Sequence, residues 1–151
     1  MTTTFAREGK LYSVDMLIAY VNIFKPGVIQ IPLISLSRSI EKPCWKEPST
    51  GAILTIQEVL DDPEKYPDHS RRINNADLSY PVIVSRNYGM LDGKHRLAKA
   101  VRDKQDTISA YLVSNEVIEK CVIHGGPDDW DIIQQQLKPY QLIALFHKRF
   151  R

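Results

Sequence analysis

Cysteine is scarce in this chain. There are two, Cys44 and Cys121, and neither belongs to a C-x-x-C pair. That excludes the disulfide framework of small secreted domains. Both read as ordinary small residues, as free cysteines commonly are. No H-E-x-x-H or similar metal-ligand spacing occurs, so no protein-held metal cluster is expected, and His124 and His147 read as surface residues. Long apolar runs are also missing. The longest, Met16 to Phe24, is interrupted by Asn22 and is far short of the ~20 residues that a membrane helix needs. Met1-Thr2-Thr3-Thr4-Phe5 has neither the basic start nor the apolar stretch of a secretory signal. Excess charge of one sign is missing too: the net charge is +2, too mild to argue for nucleic-acid binding from the whole chain. With no repeat and no low-complexity tract, the expectation is a soluble, intracellular (cytoplasmic) protein with no membrane association.

The composition fits a packed globular core, with 43% hydrophobic and 25% charged residues. A length of 151 residues suits one domain. Residues 1–12 read as loosely ordered. Ser13 is placed to cap a helix over 14–24, which Lys25-Pro26-Gly27 ends. Val28 to Leu36 is rich in β-formers and predicts a strand, with Pro32 marking an edge or a bulge. Residues 37–52 contain Pro43, Pro48 and Gly51 and predict an irregular loop, in which Trp45 anchors onto the core. Thr55-Ile56-Gln57-Glu58 is a capping box for a short helix. Asp68 is placed to cap another through Asn75.

Pro81 to Ser85 reads as a strand, Arg86-Asn87-Tyr88-Gly89 as a turn, Met90-Leu91 as a brief strand and 94–104 as a helix. Thr107 to Val113 follows, with Ile108, Ala110 and Leu112 on one face of a strand. Asn115 is placed to cap a helix to Lys120, Asp128 one over 129–137, and Pro139 sits at the first position of a last helix to Phe150. The expected class is α+β: a small mixed sheet surrounded by helices in one domain, 1–151, with its core at 28–113 and a helical extension at 114–151.

The residues that carry chemistry cluster at 92–96. A phosphate needs several donors converging where the backbone can come close. Gly93 has no Cβ, so the chain can turn sharply there. The helix that follows opens with unpaired N–H groups and the positive end of its dipole. Lys94, His95 and Arg96 add three side-chain donors, Arg as a two-pronged fork and Lys as a point charge. From Arg86 to Lys104 six basic residues stand against two acidic ones, a local balance of +4. Helical spacing puts His95, Lys99 and Arg102 on one polar stripe and turns Arg96 elsewhere, toward a ligand beyond the helix end. Periodicity alone also allows a plain Asp-capped, solvated helix. His69, Arg71, Arg72 and Asp77 are candidates to line the same cleft, or else form a solvated helix face.

Three stretches together resemble the ParB/sulfiredoxin-like superfamily: Tyr80-Pro81-Val82-Ile83-Val84, Gly89 through Ala100 with Asp92-Gly93-Lys94-His95-Arg96 at its centre, and Ile108 through Val113. Ile31 to Leu36 is similar to that family's first strand. The strong part covers residues 80–113. Sulfiredoxins carry a nucleophilic cysteine where Lys94 stands here, which argues against sulfinic acid reduction. Chromosome-partition members bind CTP and carry a helix-turn-helix domain behind the turn, for which the 38 residues after Val113 are too few. The free serine kinases carry Asp-Gly-His-His-Arg, which differs from this turn only at Lys94.

That resemblance implies a ParB/sulfiredoxin-like fold and a phosphate site for ATP or ADP at Gly93, Lys94, His95 and Arg96. It implies Mg²⁺ with the nucleotide, held in part through Asp92, and Asp92 and His95 as catalytic residues of a phosphotransferase (kinase) or ATPase. Glu41 is the nearest candidate for the kinases' glutamate, but its spacing is too loose to carry the role across. The alternatives are a non-catalytic nucleotide- or DNA-associated regulatory module, to which the basic His147-Lys148-Arg149 would lend weak contacts, and a ParB-like nuclease. The phosphate acceptor is not specified by the sequence.

Overall fold

The computed structural model describes residues 4–47, 49–124 and 139–150. In chain order the strands are β1 (Thr4–Arg7), β2 (Lys10–Ser13), β3 (Val28–Pro32), β4 (Trp45–Lys46), β5 (Ile53–Leu54), β6 (Val82–Ser85), β7 (Met90–Asp92), β8 (Thr107–Val113) and β9 (Val122–His124). The helices are α1 (Val14–Phe24), α2 (Ser37–Glu41), α3 (Ile56–Asp61), α4 (Pro67–Asn75), α5 (Lys94–Arg102), α6 (Asn115–Glu119) and α7 (Pro139–Arg149). The class is α+β, with several small sheets. No helix among the described residues is long and apolar enough to cross a membrane. The expected break at 125–127 and the helix over 129–137 lie outside the described residues.

The chain forms two compact units, one continuous (Gly27–Leu112) and one assembled from Met1–Pro26 and Val113–Arg151. In the second, β1 and β2 make a hairpin where loose order was expected, pairing Thr4 with Ser13 and Arg7 with Lys10. Its tight turn uses Glu8 and Gly9, both at positive φ (52° and 77°), the geometry that matches the right-handed twist of the flanking strands. β9 adds to the other side of β2. Tyr12, fully buried, donates its hydroxyl to Glu119 Oε1 at 2.7 Å. α1 begins as expected, with Ser13 Oγ accepting from Met16 N at 3.1 Å. α6 is capped by Ser114 rather than Asn115.

The continuous unit is built on a four-stranded sheet of order β3-β8-β6-β7. β3 runs antiparallel to β8, with Val28 opposite Tyr111 and Pro32 opposite Thr107, so the proline sits at the sheet's edge as its missing donor requires. The expected strand over 28–36 stops at Pro32. Leu33 donates its N–H to Asp106 O at 3.0 Å, and Leu33–Leu36 winds into a 3₁₀ turn leading into α2. The stretch 37–52, expected to be irregular, holds α2 and the small β4–β5 hairpin. Ile108 and Ala110 of β8 face a core shared with Val82, Val84, Leu97 and Ala98. That core fixes α5 against β6, so the turn at Gly93 is set by packing on both sides.

Candidate functional site

Gly93 holds φ at +104°, and a Cβ built there would lie 2.6 Å from Val82 Cγ1 and 3.0 Å from Arg96 Nη2. The turn therefore admits only glycine, for reasons of backbone shape and of space together. Gly93 is itself the N-cap residue of α5, and no side chain caps the helix. The alternative that Asp92 caps α5 does not hold: Asp92 ends β7, and its Oδ2 accepts from Arg96 Nη2 at 2.9 Å.

Arg96 is committed further. Its Nη1 donates to Tyr80 O at 3.0 Å and Pro81 O at 2.8 Å. The Tyr80-Pro81 segment leads into β6, and the guanidinium supplies a charged donor to both of its carbonyl oxygens. Its side chain is only 19% exposed. Arg96 thus clamps the turn to the sheet, which accounts for most of its donors before any ligand is considered. Lys94 is different: among the described residues no carboxylate pairs with it. It lies close enough to Cys44 to act on the thiol, whose pKa burial pushes up and Lys94 pulls back.

The stripe of His95, Lys99 and Arg102 faces α4, half-buried at His95 and Lys99 and exposed at Arg102. Lys99 Nζ donates to Asn74 O at 3.0 Å and to Ala76 O at 2.7 Å, closing the carbonyl end of α4. Arg102 Nη1 donates to Asn74 Oδ1. His95 Nε2 lies 3.1 Å from His69 Nδ1. Both imidazoles stack on Trp45, at 4.6 Å (His95) and 4.5 Å (His69) between ring centroids and within 15° of parallel. The imidazole centroids are only 5.4 Å apart, so the two rings lie side by side on one face of the indole. Trp45 is 8% exposed. It is the core anchor expected of it, but the rings it receives were not foreseen.

The environment keeps this pair neutral. Burial, then the neighbouring His69 and Arg72, push the His95 pKa down to about 4. Burial and Arg72 lower that of His69 also. An imidazole held this acidic is a weak base near neutral pH. Asp77 stands apart in its own turn, where Oδ1 accepts from Ser79 N and Ser79 Oγ, and those bonds hold its carboxyl below the usual range.

Of the residues singled out from the sequence, the fold brings Asp92 through Arg96 together at one turn, joins His69 directly to His95 and sets Arg72 beside that pair. Asp77 contributes charge near Lys99 and Arg96 without touching either ring. Arg71 pairs with Asp68 on the exposed side of α4. Among the described residues no group of three or more His, Cys, Asp or Glu could hold a metal ion. The donor set thus suits an anion at the head of α5, met by backbone N–H groups and Lys94. It suits a protein-held Mg²⁺ poorly, since Asp92 already shares one oxygen with Arg96. Comparison with protein-family models, curated proteins and solved structures gives no match to this chain.

Proposed function

We propose that this chain is a nucleotide-binding module of ParB/sulfiredoxin-like fold, taking a phosphate group of ATP or ADP at the Gly93 turn. The observation that carries the reading is the open start of α5. The helix begins at a glycine with no side-chain cap, and Lys94 stands beside it without a carboxylate partner among the described residues. Helix starts of this kind favour anions through their free N–H groups and dipole. The β6–turn–α5–β8 order supports it as well, in keeping with the resemblance drawn from residues 80–113. Any Mg²⁺ would arrive with the nucleotide, neutralising phosphate charge rather than filling a protein cage.

Binding is favoured over turnover because both candidate catalytic groups are tied down, Asp92 by Arg96 and His95 by His69. A phosphotransferase is the second reading, and one feature favours it: only one Asp92 oxygen is held by Arg96, and the side chain stays 26% exposed at the turn. The test is calorimetry with a panel of nucleotides, with and without Mg²⁺, followed by product analysis. Binding of a nucleoside di- or triphosphate that weakens in Lys94→Ala supports the site. No binding by any nucleotide sinks the reading, and released phosphate or a phosphorylated acceptor moves it to the second.

A further inference from the structure

We propose that His69 and His95, laid side by side on Trp45, form a two-proton clasp: it ties β4 and α4 to α5 with no proton or one added, and a second proton opens it. The geometry assigns the steps. The two facing nitrogens, His69 Nδ1 and His95 Nε2, are 3.1 Å apart. In the neutral pair one ring's N–H donates to the other's lone pair along that line. A first added proton goes to an outward-facing nitrogen, His69 Nε2 or His95 Nδ1, and leaves this bond in place with charge assistance. The indole face under the rings also attracts an imidazolium. A second proton has to occupy the facing lone pair. Two N–H groups of two cations then oppose each other across the same gap, and the rings must part.

The charges that act on the pair set the order. From α4, Arg72 disfavours a proton on either ring, while Asp68 favours one on His69. From the β4–β5 hairpin, Glu47 also favours His69. From α5 itself, Lys94 adds a cation near the same hairpin at Cys44. His69 therefore takes the first proton and His95 the second. The pair titrates as a unit in two steps rather than as two independent histidines.

The experiment is an NMR titration of the full chain from neutral to acid pH. It follows the histidine ring signals, assigned with His69→Gln and His95→Gln, and the Trp45 indole N–H, assigned by removing the chain's second tryptophan in Trp130→Phe. Far-UV circular dichroism reports on the helices alongside. The expected result is two histidine steps, with the Trp45 signal still through the first and shifting in the second, before the helices melt. In His69→Gln the amide can accept from a protonated His95, so His95 should take its proton at least tenfold more readily, one unit higher in pH, and Trp45 should stay in place where the wild type has opened. A Trp45 signal that moves with the first proton overturns the clasp, as does one that ignores both steps. Opening of His69→Gln at the wild-type pH overturns it too. Should that variant fail to fold, the order of the wild-type steps decides alone.

Discussion

α1 and α5 begin in opposite ways. α1 starts under a fully buried serine whose Oγ takes up the Met16 N–H. α3 and α6 do the same with Thr55 and Ser114. α5 starts at a glycine in the left-handed region with no oxygen to offer. Where a side-chain oxygen satisfies the first turn, the helix is complete in itself and its start is a matter of stability. Where none does, the backbone donors remain for water or for a ligand. The same chain uses both solutions: α2 and α4 also start without a side-chain cap, and α5 is the uncapped start that combines a left-handed glycine with the Asp92–Arg96 cluster.

The contrast can be broken most forcefully at Gly93. Gly93→Val forces a β-branched residue to φ +104° and drives its Cβ into Val82. Strain of about 1–3 kcal/mol and overpacking of a similar size should combine to unfold most of the protein, read as a collapse of the melting temperature. Arg96→Ala comes next. It leaves the half-buried Pro81 carbonyl and Asp92, and the exposed Tyr80 carbonyl, without their donor, for a loss of about 1.5–3 kcal/mol in denaturant unfolding. A variant that weakened nucleotide binding with unchanged stability would instead return Arg96 to the ligand.

Acid should act more gently, because the imidazoles are partly open to solvent. His95 has its folded pKa near 4, below the ordinary 6.5, so the unfolded chain binds the extra proton first. Stability is then full above pH 6.5 and declines as pH falls toward 4, the sign opposite to that of a paired histidine. His95→Gln should flatten that slope in urea melts recorded across the window. Ser13→Ala, at the closed start, should cost about 1 kcal/mol and leave nucleotide binding untouched. Lys94→Ala, at the open start, should shift stability by no more than about 0.5 kcal/mol while weakening nucleotide affinity by about 1.5–3 kcal/mol, the range for a charge-assisted bond. Equal affinity in that variant would make α5 an uncapped helix and nothing more.

Local signals in the sequence located what depends on near neighbours. The alternation of Ile108 and Ala110 gave β8 to the residue, the Thr55–Glu58 spacing gave the cap of α3, and Gly93 marked the turn. What escaped depends on partners distant in sequence. Leu33–Leu36 continues an apolar run, which cannot by itself tell strand from helix; the bond from Leu33 to Asp106 decides it. Glu8-Gly9 is a weaker hairpin signal than Asn-Gly, so β1–β2 went unseen. The direction of the His95, Lys99 and Arg102 stripe was also hidden. Its spacing was plain, but only packing shows that it meets His69 and Asn74 of α4. Periodicity allowed Asp92 as a helix cap beside its catalytic reading, because Asp commonly caps; the clamp by Arg96 one turn later claims one of its oxygens instead.

The pairing of β3 with β8 has a consequence for the order in which the molecule assembles. β2 must find β9 across some 110 positions, Tyr12 meeting Val122. Val28 and Tyr111, both of which lie between those positions in the sequence, are opposite one another in the four-stranded sheet of the continuous unit. Once the continuous unit has formed, the ring of chain still to be closed shrinks to roughly 27 free positions, which lowers the entropic cost by about 1 kcal/mol. During synthesis that unit emerges whole before β9 does. The hairpin at the start of the chain therefore waits, and the slow search expected of a pairing so far apart is shortened by a segment that contributes no strand to that sheet.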